Sequence, residues 1–255
     1  MSEFSLLAHG IAALAAVGAG LVNAIAGGGT LISFPVLTAL GVPAIGANAT
    51  NTVSLCPGYI SGAYAQRQDL MGLRVLLRPQ LLASALGGLV GSILLIVTRE
   101  SVFLQIVPFL ILFSCLLLGV QDRLRTWLHL HRISDGNGGN TFAEVLAIGT
   151  AAIYGGYFGA GLGIILMAVL GIFSELPFIR LNAIKQLLSF VISLSAAGFL
   201  LFSGKVEWTL VLVMVPGSII GGQLGGKLAG SIPPGLLRGF VIAFGIVVAM
   251  VYLFR

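Results

Sequence analysis

Apolar residues run through this chain in long blocks, separated by short polar or glycine- and proline-rich breaks. Stretches 81–97, 102–120 and 236–254 are almost continuously apolar. A membrane β-strand would instead alternate over about ten residues, so the pattern predicts spanning helices. The first half divides into five segments, at about 4–26, 29–41, 45–64, 71–97 and 101–120. The second half gives five more, at about 141–160, 163–174, 178–202, 207–229 and 235–254. The second segment of each half is too short to span. About thirteen residues at ~1.5 Å rise cover roughly 20 Å, against a hydrocarbon core of about 30 Å. Each follows a glycine cluster, Gly27-Gly28-Gly29 or Gly159-Ala160-Gly161-Leu162-Gly163, and precedes a proline turn at Pro43 or Pro177. Irregular backbone at membrane depth persists only inside protein or beside a water-filled cavity. The expected fold is therefore an all-α polytopic membrane protein with a broken or half-spanning helix after each glycine cluster, the two breaks facing each other.

The two halves are one pattern written twice. A shift of 134 residues lays Gly27 on Gly161, Gly29 on Gly163, Pro43 on Pro177, Asn48-Ala49 on Asn182-Ala183, and Gly87-Gly88-x-x-Gly91 on Gly221-Gly222-x-x-Gly225. Repeats of this kind build many secondary transporters, with the site at the equivalent interrupted segments. The division expected is a first transmembrane repeat at 1–120, a central cytoplasmic loop at 121–140 and a second repeat at 141–255. Arg67, Arg74 and Arg78 flank one loop, and Arg123, Arg125 and Arg132 lie in the central stretch. Both loops are cytoplasmic by the excess of basic residues on that side. An odd number of crossings per repeat then inverts the second half relative to the first.

Composition narrows the class. Hydrophobic residues are 58% of 255 and charged residues 8%, against roughly 25% charged in a soluble domain. The net charge of +5 comes from dispersed basic residues at segment ends, with no run or aromatic-interleaved patch, so nucleic acid is not an expected partner. Cys56 and Cys115 lie in apolar segments without metal or redox spacing. The start, Met1-Ser2-Glu3-Phe4, lacks the basic region of a signal peptide, so the first segment is expected to be a retained helix.

Candidate chemistry concentrates after the short segments, in Asn48-Ala49-Thr50-Asn51-Thr52 and its counterpart Asn182-Ala183-Ile184-Lys185-Gln186. These residues open the third segment of each half, where helix N–H groups and the dipole favour an anion. Asn48 and Asn182 have a plainer role open to them as helix caps. Lys185 sits about seven residues into its segment, where an ionisable side chain costs at least ~2.5–3.5 kcal/mol to insert. The backbone at Gly27, Gly28 and Gly29 and at Gly161 and Gly163 is the expected place for amides to reach a small ligand. The expected site is thus those five glycines with Asn48, Thr50, Asn51, Asn182, Lys185 and Gln186.

Other features carry less. Asn48-Ala49-Thr50 matches a glycosylation sequon only by chance between apolar segments, and Gly27-Gly28-Gly29-Thr30 lacks the lysine of a phosphate-binding loop. Arg180 and Lys227 read as interfacial anchors, Glu144 and Glu175 as helix-end residues with proton carriage open to them, and the GGxxG clusters as close-packing faces. His9, His129 and His131 do not converge, so no metal or cofactor is expected. No nucleophile–base constellation appears, so an enzyme is not expected.

The stretch Gly20-Leu21-Val22-Asn23-Ala24-Ile25-Ala26-Gly27-Gly28-Gly29-Thr30, with Ala47-Asn48-Ala49-Thr50-Asn51, resembles the TauE/SafE family. So does Tyr154-Gly155-Gly156-Tyr157-Phe158-Gly159-Ala160-Gly161-Leu162-Gly163 with Leu181-Asn182-Ala183-Ile184-Lys185, and the resemblance spans essentially the whole chain. It implies a multi-pass permease of a prokaryotic inner membrane, associated with export of sulfite and organosulfonates. The expectation is a secondary transporter for such anions, working by alternating access around a mid-membrane site between the repeats. A channel-like pathway, or transport of another oxyanion or a carboxylate, is the alternative. A homodimer is compatible with the pattern and not required by it.

Overall fold

A computed structural model describes residues 4–25, 27–65, 67–70, 77–130, 141–174, 176–228 and 234–254. These form ten helices: α1 (Leu6–Ile25), α2 (Thr30–Ala39), α3 (Ala44–Ala65), α4 (Arg78–Val97), α5 (Glu100–Leu130), α6 (Thr141–Tyr157), α7 (Leu162–Phe173), α8 (Phe178–Leu200), α9 (Trp208–Leu228) and α10 (Pro234–Leu253). No strand occurs among the described residues. Five helices are long and apolar enough to cross a bilayer: α1, α4, α5 over Glu100–Gln121, α8 over Ile179–Leu200 and α9 over Trp208–Gly225. The chain is polytopic and all-α, as its pattern predicts.

One expectation is corrected. The fifth helix runs on to Leu130, well into the stretch read as loop. Its polarity suggested a loop, yet 121–130 contains neither glycine nor proline and spaces Leu124 and Leu128 four apart, which suits a helix leaving the apolar zone. Residues 131–140, with the Gly/Asn-rich segment, lie outside the described residues, as do Ala26 and Glu175.

The bundle is inside-out relative to a soluble protein. Leu82, Leu86, Phe109, Leu212 and Phe240 face outward, while Ser33, Asn48, Thr50, Ser84, Ser114 and Ser218 are fully buried. Lipid solvates the first set, and the second must find partners or a ligand inside. Exchanging the halves (α1 for α6, α2 for α7 and so on) maps α1 against α9 onto α6 against α4, and α3 against α9 onto α8 against α4; both members of each pair occur. The central contact, α3 against α8, maps onto itself. α8 is the most enclosed of the five candidate spans, with 61% of its window buried.

The glycine clusters on α4 and α9 make the close approaches. A Cβ added to Gly87 would lie 2.6 Å from Gly149 O, and one on Gly225 would lie 2.7 Å from Leu21 O. Both obstacles are backbone and cannot swing aside. Gly225→Val is therefore expected to destabilise by at least ~1–3 kcal/mol through overpacking. Thermal unfolding in detergent checks this, with Gly198→Val, which meets nothing within 4 Å, as the unaffected control.

Both short helices fold back on the helix before them. Gly18 on α1 faces Ile32 on α2, and Gly155 on α6 faces Leu162 at the start of α7. The reversals rest on the same conformation, since Gly27 and Gly161 both sit in the left-handed region at φ 81 and φ 75. An L side chain there costs about 1–2 kcal/mol, which explains why the repeat keeps glycine at both positions.

Candidate functional site

The two reversals meet. A Cβ on Gly27 would stand 3.5 Å from Gly163 Cα, and one on Gly163 would stand 3.5 Å from Gly27 Cα. The Lys185 side chain lies against this crossing, its Cδ 3.5 Å from the same Gly163 Cβ position. Lys185 is the eighth residue of α8 and is only 6% exposed. No hydrogen bond or ion pair among the described residues engages its ammonium, and no acceptor among them receives the Gly161 or Gly163 amide.

In the first repeat the equivalent groups are all used. Gly29 N–H donates to Asn23 Oδ1 at 2.8 Å. Asn51, the counterpart of Lys185, accepts from Ser33 Oγ and donates to Thr30 Oγ1 at 3.4 Å. In the second repeat Tyr157, Ile164 and Met167 stand where Asn23, Thr30 and Ser33 do. The Tyr157 hydroxyl turns away to Thr98. At these positions the first repeat satisfies itself, and the second keeps an unpaired cation and open amides. The second break is held instead from its carbonyl side: Tyr154 Oη donates to Ala160 O at 2.6 Å, and Ser114 Oγ donates to the same oxygen at 3.0 Å.

Other residues singled out in the sequence lie around this crossing with differing duties. Asn48 and Asn182 do not cap their helices, because α3 begins at Ala44 and α8 at Phe178, placing each asparagine fifth in its helix. Asn48 Nδ2 instead donates to Tyr157 O across the repeat boundary at 2.7 Å, while its buried Oδ1 has no partner among the described residues. The first turn of α3 is capped by Glu100, whose carboxylate receives Ile45 N–H at 3.1 Å. Thr50 Oγ1 accepts Glu207 N–H at 2.9 Å, where α9 begins, and so ties the halves together. Gly28 packs on Leu118. Asn182 is partly buried and Gln186 buried, the latter facing a cavity between α1, α3, α8 and α9.

The crossing is sealed on one side and hollow on the other. Near the start of α3, Phe34, Phe103 and Phe158 pack edge to face, with Phe34 and Phe158 centroids 5.4 Å apart and Tyr157 5.8 Å from Phe103. Toward the end of α3, Leu55, Gly58 and Tyr59 line the cavity, a small space with room for about one water. Sequence reasoning missed this plug and cavity, and Asn23 with them. The available signal was the repeat itself, which pairs Ala24 with Phe158 and Asn23 with Tyr157.

A polytopic helical bundle with an apolar exterior, a polar interior and two half-length helices meeting at a buried cation has the build of a membrane transporter. The chain belongs to the sulfite exporter TauE/SafE family, whose model matches residues 12–252. It is 28% identical over 213 residues to the probable membrane transporter protein ORF9 of Sinorhizobium sp, covering 82% of this chain and 78% of that one. It is 27% identical over 245 residues to the probable membrane transporter protein YfcA of Escherichia coli K12, covering 93% and 87%. A probable membrane transporter protein of Haemophilus influenzae is 29% identical over 247 residues, covering 92% and 91%. No solved structure matches. The protein is a multi-pass transporter of the prokaryotic inner membrane.

Proposed function

We propose that the protein is a secondary exporter of small sulfur oxyanions, sulfite or short organosulfonates, that binds one anion at the Gly163–Lys185 crossing. The carrying observation is the contrast between repeats. Gly29 N–H already has an oxygen acceptor in Asn23, whereas Gly163 N–H has none among the described residues and lies beside an unpaired, buried lysine. An anionic oxygen supplies what that half lacks. The helix dipole of α7 and the Lys185 charge both favour it, in surroundings where desolvation strengthens each interaction.

The geometry supports alternating access between inverted repeats. α2 doubles back along α1, so that pair returns the chain toward the side it came from, and α3, α4 and α5 supply three crossings that bring the second repeat in from the opposite side. Basic residues then place Arg67 and the end of α5 in the cytoplasm. On that reading the aromatic plug closes the outer side, the cavity opens inward, and the repeats at 1–120 and 141–255 rock about the α3–α8 contact. No catalytic role is assigned to any residue, and the transporter is not an enzyme.

Purified protein in liposomes tests the reading. Efflux of sulfite or methanesulfonate is expected to saturate with concentration. A potential negative on the side the anion leaves is expected to accelerate it, the driving force being about 2.3 kcal/mol per charge per 100 mV. Large unitary conductance without saturation would favour a channel, and no flux of any oxyanion would defeat the proposal.

A further inference from the structure

The two breaks end their first helices with the same bond, but out of step with each other. Gly27 N–H donates to Val22 O at 2.9 Å, and Gly159 N–H donates to Tyr154 O at 3.3 Å, each from a left-handed glycine. This backward bond is the usual closure of a helix that ends in glycine. In the 134-residue shift, however, Gly27 falls on Gly161. The second repeat closes early, at Gly159, so its Gly161 amide is not consumed as the Gly27 amide is. The Ala160–Gly161 peptide and the start of α7 are left to other partners.

The carbonyls to which the open amides could turn back are held by other donors. Helical geometry would bring Gly161 N–H to Tyr157 O, and Gly163 N–H to Ala160 O or Gly159 O. Asn48 Nδ2 already donates to Tyr157 O at 2.7 Å, and Leu162 N–H donates to Gly159 O at 3.2 Å. Ala160 O faces two hydroxyls, Tyr154 Oη at 2.6 Å and Ser114 Oγ at 3.0 Å, which match its two lone pairs. Ser114 shares its single proton with Leu110 O at 2.8 Å, so Tyr154 is the constant donor. The first repeat has neither hydroxyl, since the shift places Gly20 and Val248 there. A trans peptide sets its carbonyl and its N–H on opposite sides, so holding Ala160 O aims Gly161 N–H away from both hydroxyls. Hydrogen bonds received at that oxygen also polarise the peptide and strengthen its N–H as a donor.

We infer that Tyr154, with Ser114 and Asn48, is a positioning residue for the transported anion: these side chains occupy the carbonyls of the second break and so keep the Gly161 and Gly163 amides open to the oxyanion that Lys185 attracts. This deepens the proposed function and rests on it. None of the three touches the ion; they fix the donors that receive it. Asn48 and Ser114 belong to the first repeat, so the donors of the second keep this arrangement only while the two repeats are docked as they are here.

The test measures sulfite transport in liposomes together with hydrogen–deuterium exchange, for wild type, Tyr154→Phe, Ser114→Ala and Asn48→Leu. Phenylalanine keeps the ring that packs edge-on to Phe113. Without the hydroxyl, Ala160 O is free to accept Gly163 N–H. Tyr154→Phe is therefore expected to melt within a few degrees of wild type, to slow amide exchange over 159–164 in anion-free protein, and to raise KM for sulfite about tenfold. Asn48→Leu frees Tyr157 O for Gly161 N–H and is expected to act alike. Ser114→Ala is expected to raise KM about threefold, because the serine proton is shared. Saturating sulfite is expected to slow exchange over 159–164 in wild type and to change it little in Tyr154→Phe. Wild-type KM in Tyr154→Phe, or a raised KM accompanied by faster exchange and early melting, would overturn the positioning role. Either result leaves wild-type sulfite flux, and with it the transport reading, intact. Wild-type protein that moves no oxyanion would instead remove the transport reading and the positioning role together.

Discussion

Lys185→Met is expected to abolish saturable anion flux and at the same time raise the melting temperature of the protein. The two effects share one cause. An ammonium held inside the bundle with no partner among the described residues is a net liability to the fold, and its insertion alone costs at least ~2.5–3.5 kcal/mol. Methionine fills a similar volume without charge, and replacing a buried uncompensated charge by an apolar side chain commonly stabilises. The anion loses the one full countercharge that the described residues place at the crossing, so its affinity falls by about 100-fold, in line with ~1.5–3 kcal/mol for a hydrogen bond to a charged group. A structural lysine would behave oppositely, with a lower melting temperature and flux retained in whatever protein still folds. Lys185→Arg adds a finer check. It keeps the charge, but the wide guanidinium replaces a compact point charge between two glycine backbones, so substantial loss of kcat/KM is expected there too. Full sulfite flux in Lys185→Met would remove this residue from the mechanism.

The parts of this molecule legible in its sequence were those imposed by the solvent and by the chain's duplication. Length and apolarity of each run give the helices, because a backbone in hydrocarbon has no other way to satisfy its polar groups. The half-length α2 and α7 follow from glycine clusters and proline turns, and Gly27 and Gly161 adopt the same left-handed conformation. The duty of individual polar residues was not legible, because it depends on which neighbour reaches them first. Thr50 and Asn51 are adjacent and equally polar. One bonds the start of α9 in the other repeat, while the other is consumed by Thr30 and Ser33 in its own. Asn48 sits where a cap was plausible, but α3 starts four residues earlier and Glu100 from α5 takes the capping role. Such pairings link residues tens of positions apart, and local pattern carries no record of them. The asymmetry between halves was visible as Asn51 against Lys185. Its fuller extent, with Asn23, Thr30 and Ser33 against Tyr157, Ile164 and Met167, needed the contacts to give those differences a common meaning.

Gly163 offers the second large effect, and its geometry separates site from scaffold unusually well. A Cβ at Gly163 meets Gly27 Cα at 3.5 Å and Lys185 Cδ at 3.5 Å, ordinary van der Waals contacts, and the residue does not lie in the left-handed region. Gly163→Ala is therefore expected to fold with a melting temperature near wild type. It nevertheless sets a methyl group against Lys185 at the crossing where the amide is to meet the anion, and KM for sulfite is expected to rise about tenfold, equivalent to ~1.4 kcal/mol. Gly163→Val adds two further methyl groups at the same place and is expected to lower kcat/KM by about 100-fold, ~2.7 kcal/mol. Gly161→Ala provides the contrast. Its Cβ meets Leu117 Cδ1 at 3.4 Å, a contact a side chain can relieve, but its φ of 75 strains any L residue by about 1–2 kcal/mol. Its expected signature is lowered stability with a modest change in KM. At Gly29 the obstacle is the Ala19 carbonyl, and Gly29→Ala is expected to disrupt the reversal itself. A Gly163→Val protein that folds and carries sulfite with wild-type kcat/KM would place the anion elsewhere. If the valine variant loses transport and keeps its melting temperature, while the Gly161 variant melts early and still transports, the two glycines divide as the contrast between repeats requires: one shapes the turn, and the other leaves room for the ion.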